Sequence, residues 1–165
     1  PLCLSSAMSN PFQFSEDDHI FMRAAMEEAK KAASRDEVPI GAIIVDPTTR
    51  EIIAQDGNRT RELKDPSAHA EVLVIREACK LAGAQRIPDL DLYVTLEPCA
   101  MCAGAISFAR IRRVLFAAID QKGGGVLHGG KFYEQPTCHH RPEVLYGLAQ
   151  DEAVEILRTF FKSKR

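Results

Sequence analysis

Two short motifs carry side chains with chemistry of their own: His69-Ala70-Glu71 and Pro98-Cys99-Ala100-Met101-Cys102. Imidazole and thiolate are the ligands that borderline-soft Zn2+ prefers, and three protein ligands leave a fourth position open for water. His69, Cys99 and Cys102 make up such a set for one zinc ion per chain. Zinc in that setting lowers the pKa of its water to about 7, which offers hydroxide at neutral pH. Glu71, two residues beyond the imidazole, is then the proton carrier, a general acid and base beside the metal. A Cys-x-x-Cys pair alone would serve as a redox couple or as half of a structural zinc site. A redox couple leaves His69-x-Glu71 without a purpose, and the remaining cysteines, Cys3, Cys79 and Cys138, are not spaced as a second pair. Catalytic zinc accounts for both motifs together.

The elements around these motifs must aim them at one point. Asp65-Pro66-Ser67 opens a helix that carries His69, Glu71, Leu73, Val74, Ala78 and Leu81, since proline is tolerated in a first helical turn. Residues two apart on a helix diverge, so His69 and Glu71 meet one metal-bound water only if the helix approaches with its first turn. Residues 92–96 form a strand, 98–109 a helix and 114–119 a second strand, a unit that implies parallel pairing through a right-handed crossover. Upstream, Ser15-Glu16-Asp17-Asp18 is a capping box for a helix whose apolar positions are Ile20, Phe21, Ala24, Ala25, Ala29, Ala32 and Ala33. The apolar runs 41–45 and 52–54 read as a β-hairpin closed by Asp56-Gly57-Asn58. After a glycine-rich loop, 123–130, and a polar segment, a helix from about 152 to 161 ends the chain. Helices on both faces of a mixed sheet, in one α/β domain, is the architecture this order predicts.

Composition narrows the setting. The chain has 165 residues, 45% apolar and 27% charged, with a net charge of −2. That is an ordinary globular composition with no general attraction for nucleic acid, so any such partner must be held by a local basic patch. No apolar run approaches the roughly 20 residues of a membrane span. Pro1-Leu2-Cys3-Leu4 lacks the basic and apolar regions of a secretory signal, which makes the cytoplasm the expected compartment. Met8 reads as a native start, with residues 1–7 outside the native chain, residues 1–13 a tail and residues 14–165 a single domain.

With these residues in place, the chain resembles the cytidine-deaminase-like zinc deaminases, and within them the bacterial tRNA-specific adenosine deaminases. The pattern H-x-E…P-C-x-x-C is the signature of the zinc nucleobase deaminases. Val38-Pro39-Ile40-Gly41-Ala42, Gly57-Asn58-Arg59, the run from Tyr93 to Ile106, Ala109-Arg110-Ile111-Arg112-Arg113-Val114, Asp120-Gln121-Lys122-Gly123-Gly124 and the tail Phe160-Phe161-Lys162-Ser163-Lys164-Arg165 extend the likeness from about Phe14 to the end. The resemblance implies a three-layer α/β/α sandwich with a five-stranded mixed sheet, a homodimer, and conversion of adenosine to inosine at the wobble position of a tRNA anticodon loop. It implies zinc on His69, Cys99 and Cys102, proton transfer by Glu71, and a hydrogen bond from Asn58 to the purine. His139 stands where relatives often carry Asn.

Other residues carry weaker signals. Asn58 after a strand end is, by itself, a turn residue. Gly123-Gly124-Gly125 could cradle phosphate, but alone it reads as a flexible loop. Cys138-His139-His140 reads as a solvent-facing loop, because adjacent residues seldom share a metal. Cys79 reads as a helix-core cysteine. Residues 156–165 hold no acidic side chain, while Arg158, Lys162, Lys164 and Arg165 are basic and Arg110, Arg112 and Arg113 form a second cluster. Cations at a helix C-terminus interact favourably with its dipole in any soluble protein. The sharper reading is that Arg112, Lys164 and Arg165 meet RNA phosphates, with one of Phe160 and Phe161 packed inward and the other facing the substrate. Two other functions share parts of the pattern. A deaminase of free guanine, cytosine or a nucleoside would keep every zinc residue, and a non-catalytic zinc-bearing RNA-binding subunit would have no need of Glu71. No membrane and no other protein partner is implied.

Overall fold

The computed structural model describes residues 12–165. Met8 and residues 1–11 of the expected tail lie outside the described residues. The first helix, α1 (Glu16–Ser34), opens with the expected capping box: the Ser15 side chain accepts the Asp18 N–H and the Asp18 carboxylate accepts the Ser15 N–H, both at 3.0 Å. Phe21, Ala25, Ala29 and Ala32 are buried as their spacing predicts, and Met22 and Met26 join them, whereas Ile20 is exposed.

Strands β1 (Gly41–Asp46) and β2 (Glu51–Gly57) form the antiparallel hairpin, with a bulge between Ile44 and Val45. Helix α2 (Ala70–Ala82), strand β3 (Asp91–Leu96), helix α3 (Ala100–Phe108) and strand β4 (Arg113–Ala118) follow. A short strand, β5 (Glu143–Tyr146), and a final helix, α4 (Gln150–Lys162), complete the fold. The sheet order is β2-β1-β3-β4-β5; β1 pairs antiparallel with β2 and β3, and β3-β4 and β4-β5 are parallel. The β5 strand lies in what reads from sequence as a polar segment.

Side-chain alternation along the strands divides the core in two. Ile43, Val45, Tyr93, Leu115 and Ala117 pack with Phe21, Met22 and Met26 of α1 and Ala153 of α4. Ala42, Ile44, Leu92, Val94, Val114 and Phe116 pack with Val74 and Ala78 of α2 and Ala103 and Ile106 of α3. The result is the three-layer α/β/α sandwich with a five-stranded mixed sheet. Its second layer brings α2 and α3 side by side on one face, with their N-termini carrying the two motifs. Leu81, expected on the apolar face of α2, is instead exposed near the helix end.

Candidate metal centre

Both ligand-bearing helices begin later than their sequences suggest, and that shift builds the site. Residues 65–69 form turns rather than helix, so His69 is the N-cap of α2, with extended backbone at φ −73° and ψ 151°. Cys99 is likewise the N-cap of α3, at φ −71° and ψ 175°. Neither side chain caps its own helix. An N-cap residue lies outside the helical spiral, so His69 and Glu71 are freed from the divergence of two helical positions two apart. Cys102, one turn into α3, completes the cluster.

His69 Nδ1 lies 3.6 Å from Cys99 Sγ and 3.5 Å from Cys102 Sγ, and the three donor atoms all lie within 4.8 Å of one another. Tetrahedral zinc with Zn–N of about 2.05 Å and Zn–S of about 2.3 Å needs N–S separations of about 3.6 Å. The donor set and its spacing fit the ion. A hydrogen bond from the Cys102 thiol, opposed by burial and aided by His69, pulls Cys99 down to about 4. Cys99 and burial together push the Cys102 thiol up, and the Cys99 sulfur beside it raises His69. Glu71 is buried, 4% exposed; desolvation, and to a lesser extent the Cys99 charge, push its carboxyl above the ordinary range.

Asn58, buried just after β2, reaches the site through the backbone: its Oδ1 accepts the Ala70 N–H at 2.8 Å. Two buried glutamates shape the flanking segments, and neither has a role legible in the sequence. Glu37 accepts the N–H groups of Arg61 at 3.3 Å and Glu62 at 2.7 Å, fixing the turn between Asn58 and His69. Glu97 accepts the N–H groups of Asp120, Val126, Leu127 and His128 and the ring of His128. Burial alone would raise the Glu97 carboxyl, but these donors outweigh it and hold it below the usual range. The only hint in the sequence is a carboxylate directly ahead of Pro98-Cys99, where the preceding apolar strand offers it no cation.

The remaining sequence-selected residues lie elsewhere. Arg112 makes a bidentate pair with Asp91, at 2.9 and 2.5 Å, where β3 and β4 begin, the end of β3 away from Cys99. Phe160 is half-buried in a groove between α1 and α4 lined by Ala33, Ile156 and Thr159, while Phe161 is exposed. Lys164 pairs with Asp36 and lies over the Phe160 ring, and Arg165 is exposed. The glycine-rich segment is pinned rather than loose: Gly125 N–H donates to the Pro98 carbonyl at 2.8 Å, and a Cβ on Gly125 would sit 2.6 Å from the Ala100 nitrogen. The 138–140 stretch faces solvent only at His139. Cys138 is buried, with Sγ 3.6 Å from Ser107 Oγ, and His140 Nε2 donates to the Ile111 carbonyl at 2.7 Å. Cys79 is partly exposed at the edge of the core. Among the described residues, His69, Cys99 and Cys102 are the one group placed to hold a metal ion, and no helix is long and apolar enough to cross a membrane.

A three-layer sandwich with a His/Cys/Cys cluster and a buried glutamate at two helix N-termini defines a zinc-dependent hydrolytic deaminase. Residues 15–118 match the family model of the cytidine and deoxycytidylate deaminase zinc-binding region, and the chain belongs to that family. Within it, the chain is 59% identical over 145 residues to the tRNA-specific adenosine deaminase of Agrobacterium fabrum, covering 88% of this chain and 94% of that one. A solved structure from work on A-to-I editing by tRNA:A34 deaminases at the wobble position superposes with a TM-score of 0.81 at 59% identity, covering 84% of this chain and 99% of that one. The guanine deaminase of Bacillus subtilis is more distant, with a TM-score of 0.60 at 30% identity over 90% of this chain and 95% of that one.

Proposed function

We propose that this protein converts adenosine to inosine at the wobble position of a tRNA anticodon loop, releasing ammonia. The observation that carries the reading is 59% identity, across almost the whole length, to a protein named for that substrate class, against 30% to a guanine deaminase. C6 of an adenine is out of reach inside a duplex, and an anticodon loop presents the base already unstacked.

His69, Cys99 and Cys102 hold the metal. Zinc in this site supplies Lewis-acid activation of water at neutral pH. Glu71 accepts the first proton from the attacking water and delivers it to purine N1. It then takes the second proton and hands it to the departing amine, so that ammonia leaves as the C6 oxygen becomes the inosine carbonyl. A buried carboxyl with a raised proton affinity suits a group that must hold a proton between two transfers. Asn58 offers its amide N–H to the purine, and Arg112, Lys164, Arg165 and Phe161 meet the RNA. Phe160 belongs to the α1–α4 packing.

The working unit is a homodimer in the cytoplasm. On the outer face of α3, Met101 and Phe108 are exposed, Phe108 by 69%, beside a groove lined by Val72, Ile75 and Ala105. Sedimentation at micromolar concentration should give twice the 18.3 kDa chain mass; a clean monomer would remove the dimer. The reaction itself is tested by digesting an anticodon stem-loop after incubation with the purified protein, where inosine must replace the wobble adenosine.

A further inference from the structure

Glu97 lies between the end of β3 and the ligand Cys99, and its side chain is fully shielded from solvent. A buried carboxylate needs compensating donors, and here they come from a single segment, 120–128. One oxygen accepts the Asp120 N–H at 3.0 Å and the His128 Nδ1 at 2.9 Å. The other accepts the N–H groups of Val126, Leu127 and His128 at 3.3, 3.0 and 3.2 Å. Because a carboxylate only accepts, His128 carries its proton on Nδ1.

The same segment sits on the metal-binding turn. Gly125 donates its N–H to Pro98 and packs so closely that an added Cβ would lie 2.9 Å from the Cys99 carbonyl carbon. The backbone of Cys99 is thus held between β3 on one side and segment 120–128 on the other. We propose that Glu97 is a positioning residue for the metal centre, clamping segment 120–128 over the Cys99 turn, with His128 as the latch. His128 is the only side-chain donor of the five and is 28% exposed, so it is the part of the clamp that can be changed with least effect on the core.

The test uses the zinc-loaded protein and needs no RNA, so its outcome is independent of the proposed substrate. Zinc transfer to a chromogenic chelator is timed for wild type, His128→Ala, His128→Asn and Glu97→Gln. Amide exchange is followed in parallel, and the thiolate-to-metal absorption of the cobalt-substituted forms reports Cys99 and Cys102. The clamp predicts faster zinc release from His128→Ala by about tenfold, the lower end of what outer partners of metal ligands contribute. Amides 126–128 should exchange faster while those of β3 and β4 keep their rates, and the cobalt absorption should shift. The Asn amide can donate to the same carboxylate oxygen, so His128→Asn should restore most of the wild-type rate. Glu97→Gln turns an NH2 donor toward N–H groups that need an acceptor, and should exceed the His128→Ala effect. Release from His128→Ala within twofold of wild type, or exchange rising equally in β3 and β4, would overturn the proposal.

Discussion

The side-chain oxygen of Asn58 accepts the backbone N–H of Ala70 at 2.8 Å, across twelve residues of sequence. The N-cap of α2 is His69, whose ring is committed to the metal cluster and makes no cap. Asn58, just after β2, therefore supplies an acceptor for the first of the N–H groups left unpaired at the helix start, which ties the hairpin to the helix bearing His69 and Glu71. Two functions of one amide can be separated. Asn58→Ala should lose about 1 kcal/mol of stability with the cap. Asn58→Asp keeps the acceptor and should melt near wild type, but it lacks the N–H proposed to meet the purine. Its KM for an anticodon stem-loop should rise roughly tenfold, the value of one hydrogen bond. An unchanged KM in Asn58→Asp would restrict Asn58 to capping.

Glu71 is a proton carrier beside the metal and not a ligand in this account. Glu71→Ala should keep zinc by metal analysis and lose ammonia release by at least about a hundredfold, the scale of general acid–base catalysis. Cys99→Ala and Cys102→Ala should lose zinc and activity together, because two protein ligands rarely hold catalytic zinc. Loss of zinc from Glu71→Ala would contradict the assignment.

Acid should weaken the fold through Asp18. Buried at the start of α1, it accepts the Tyr93 hydroxyl at 2.7 Å and the Arg113 guanidinium at 2.5 Å, joining α1 to β3 and β4. Burial raises its carboxyl, but these donors and the Ser15 N–H outweigh burial and leave it below 3.8. A depressed carboxyl contributes stability above its unfolded value, and that contribution is lost as pH falls through the lower folded value. Asp18→Asn should cost roughly 3 kcal/mol at pH 7, as expected for breaking a buried charge pair. The gap from wild type in urea unfolding should hold from pH 7 to pH 5 and narrow below 3.8. A gap independent of pH down to acid unfolding would show that the charge on Asp18 is not what matters.

The His/Cys/Cys cluster is legible because zinc selects by residue type, and Glu71, the proposed proton carrier, is the carboxylate two residues from His69. The starts of α2 and α3 were less so. Pro66 and Pro98 suit a first helical turn, yet the helices begin only at Ala70 and Ala100, with His69 and Cys99 as N-caps of extended backbone. The β5 strand was hidden by its length, four residues following Arg141-Pro142, and by Glu143 at its start. Glu97 left only its place directly ahead of Pro98-Cys99, and Glu37 no local pattern at all. Apart from the His128 ring and the Thr60 hydroxyl, their partners are backbone N–H groups 23 to 31 residues away, and backbone donors carry no residue identity.

RNA docking by the tail and by Arg112 makes separate demands. Deleting residues 162–165 removes Lys162, Lys164 and Arg165, of which Lys164 pairs with Asp36 in the free protein. Arg112→Ala strips Asp91 of its bidentate partner, so a drop in stability accompanies any drop in RNA affinity. Single-turnover deamination of a stem-loop across a salt series distinguishes the two effects. Removing one cation that neutralises a phosphate should flatten the dependence of log affinity on log salt by about 0.7 to 0.9. A truncated form with the wild-type slope and affinity would remove the tail from the RNA interface, and the same result for Arg112→Ala would leave that residue a structural partner of Asp91.

Substrate choice tests the central claim most directly. Purified zinc-loaded protein is offered an anticodon stem-loop with adenosine at the wobble position, together with free adenosine, guanine and cytidine; the RNA is separated from the free compounds before its digestion to nucleosides, and each fraction is resolved by mass. Inosine in the RNA, with the free compounds unchanged, is the predicted result. Xanthine, uridine or free inosine formed at a comparable rate, with the stem-loop intact, would contradict it and make this chain a deaminase of free bases or nucleosides.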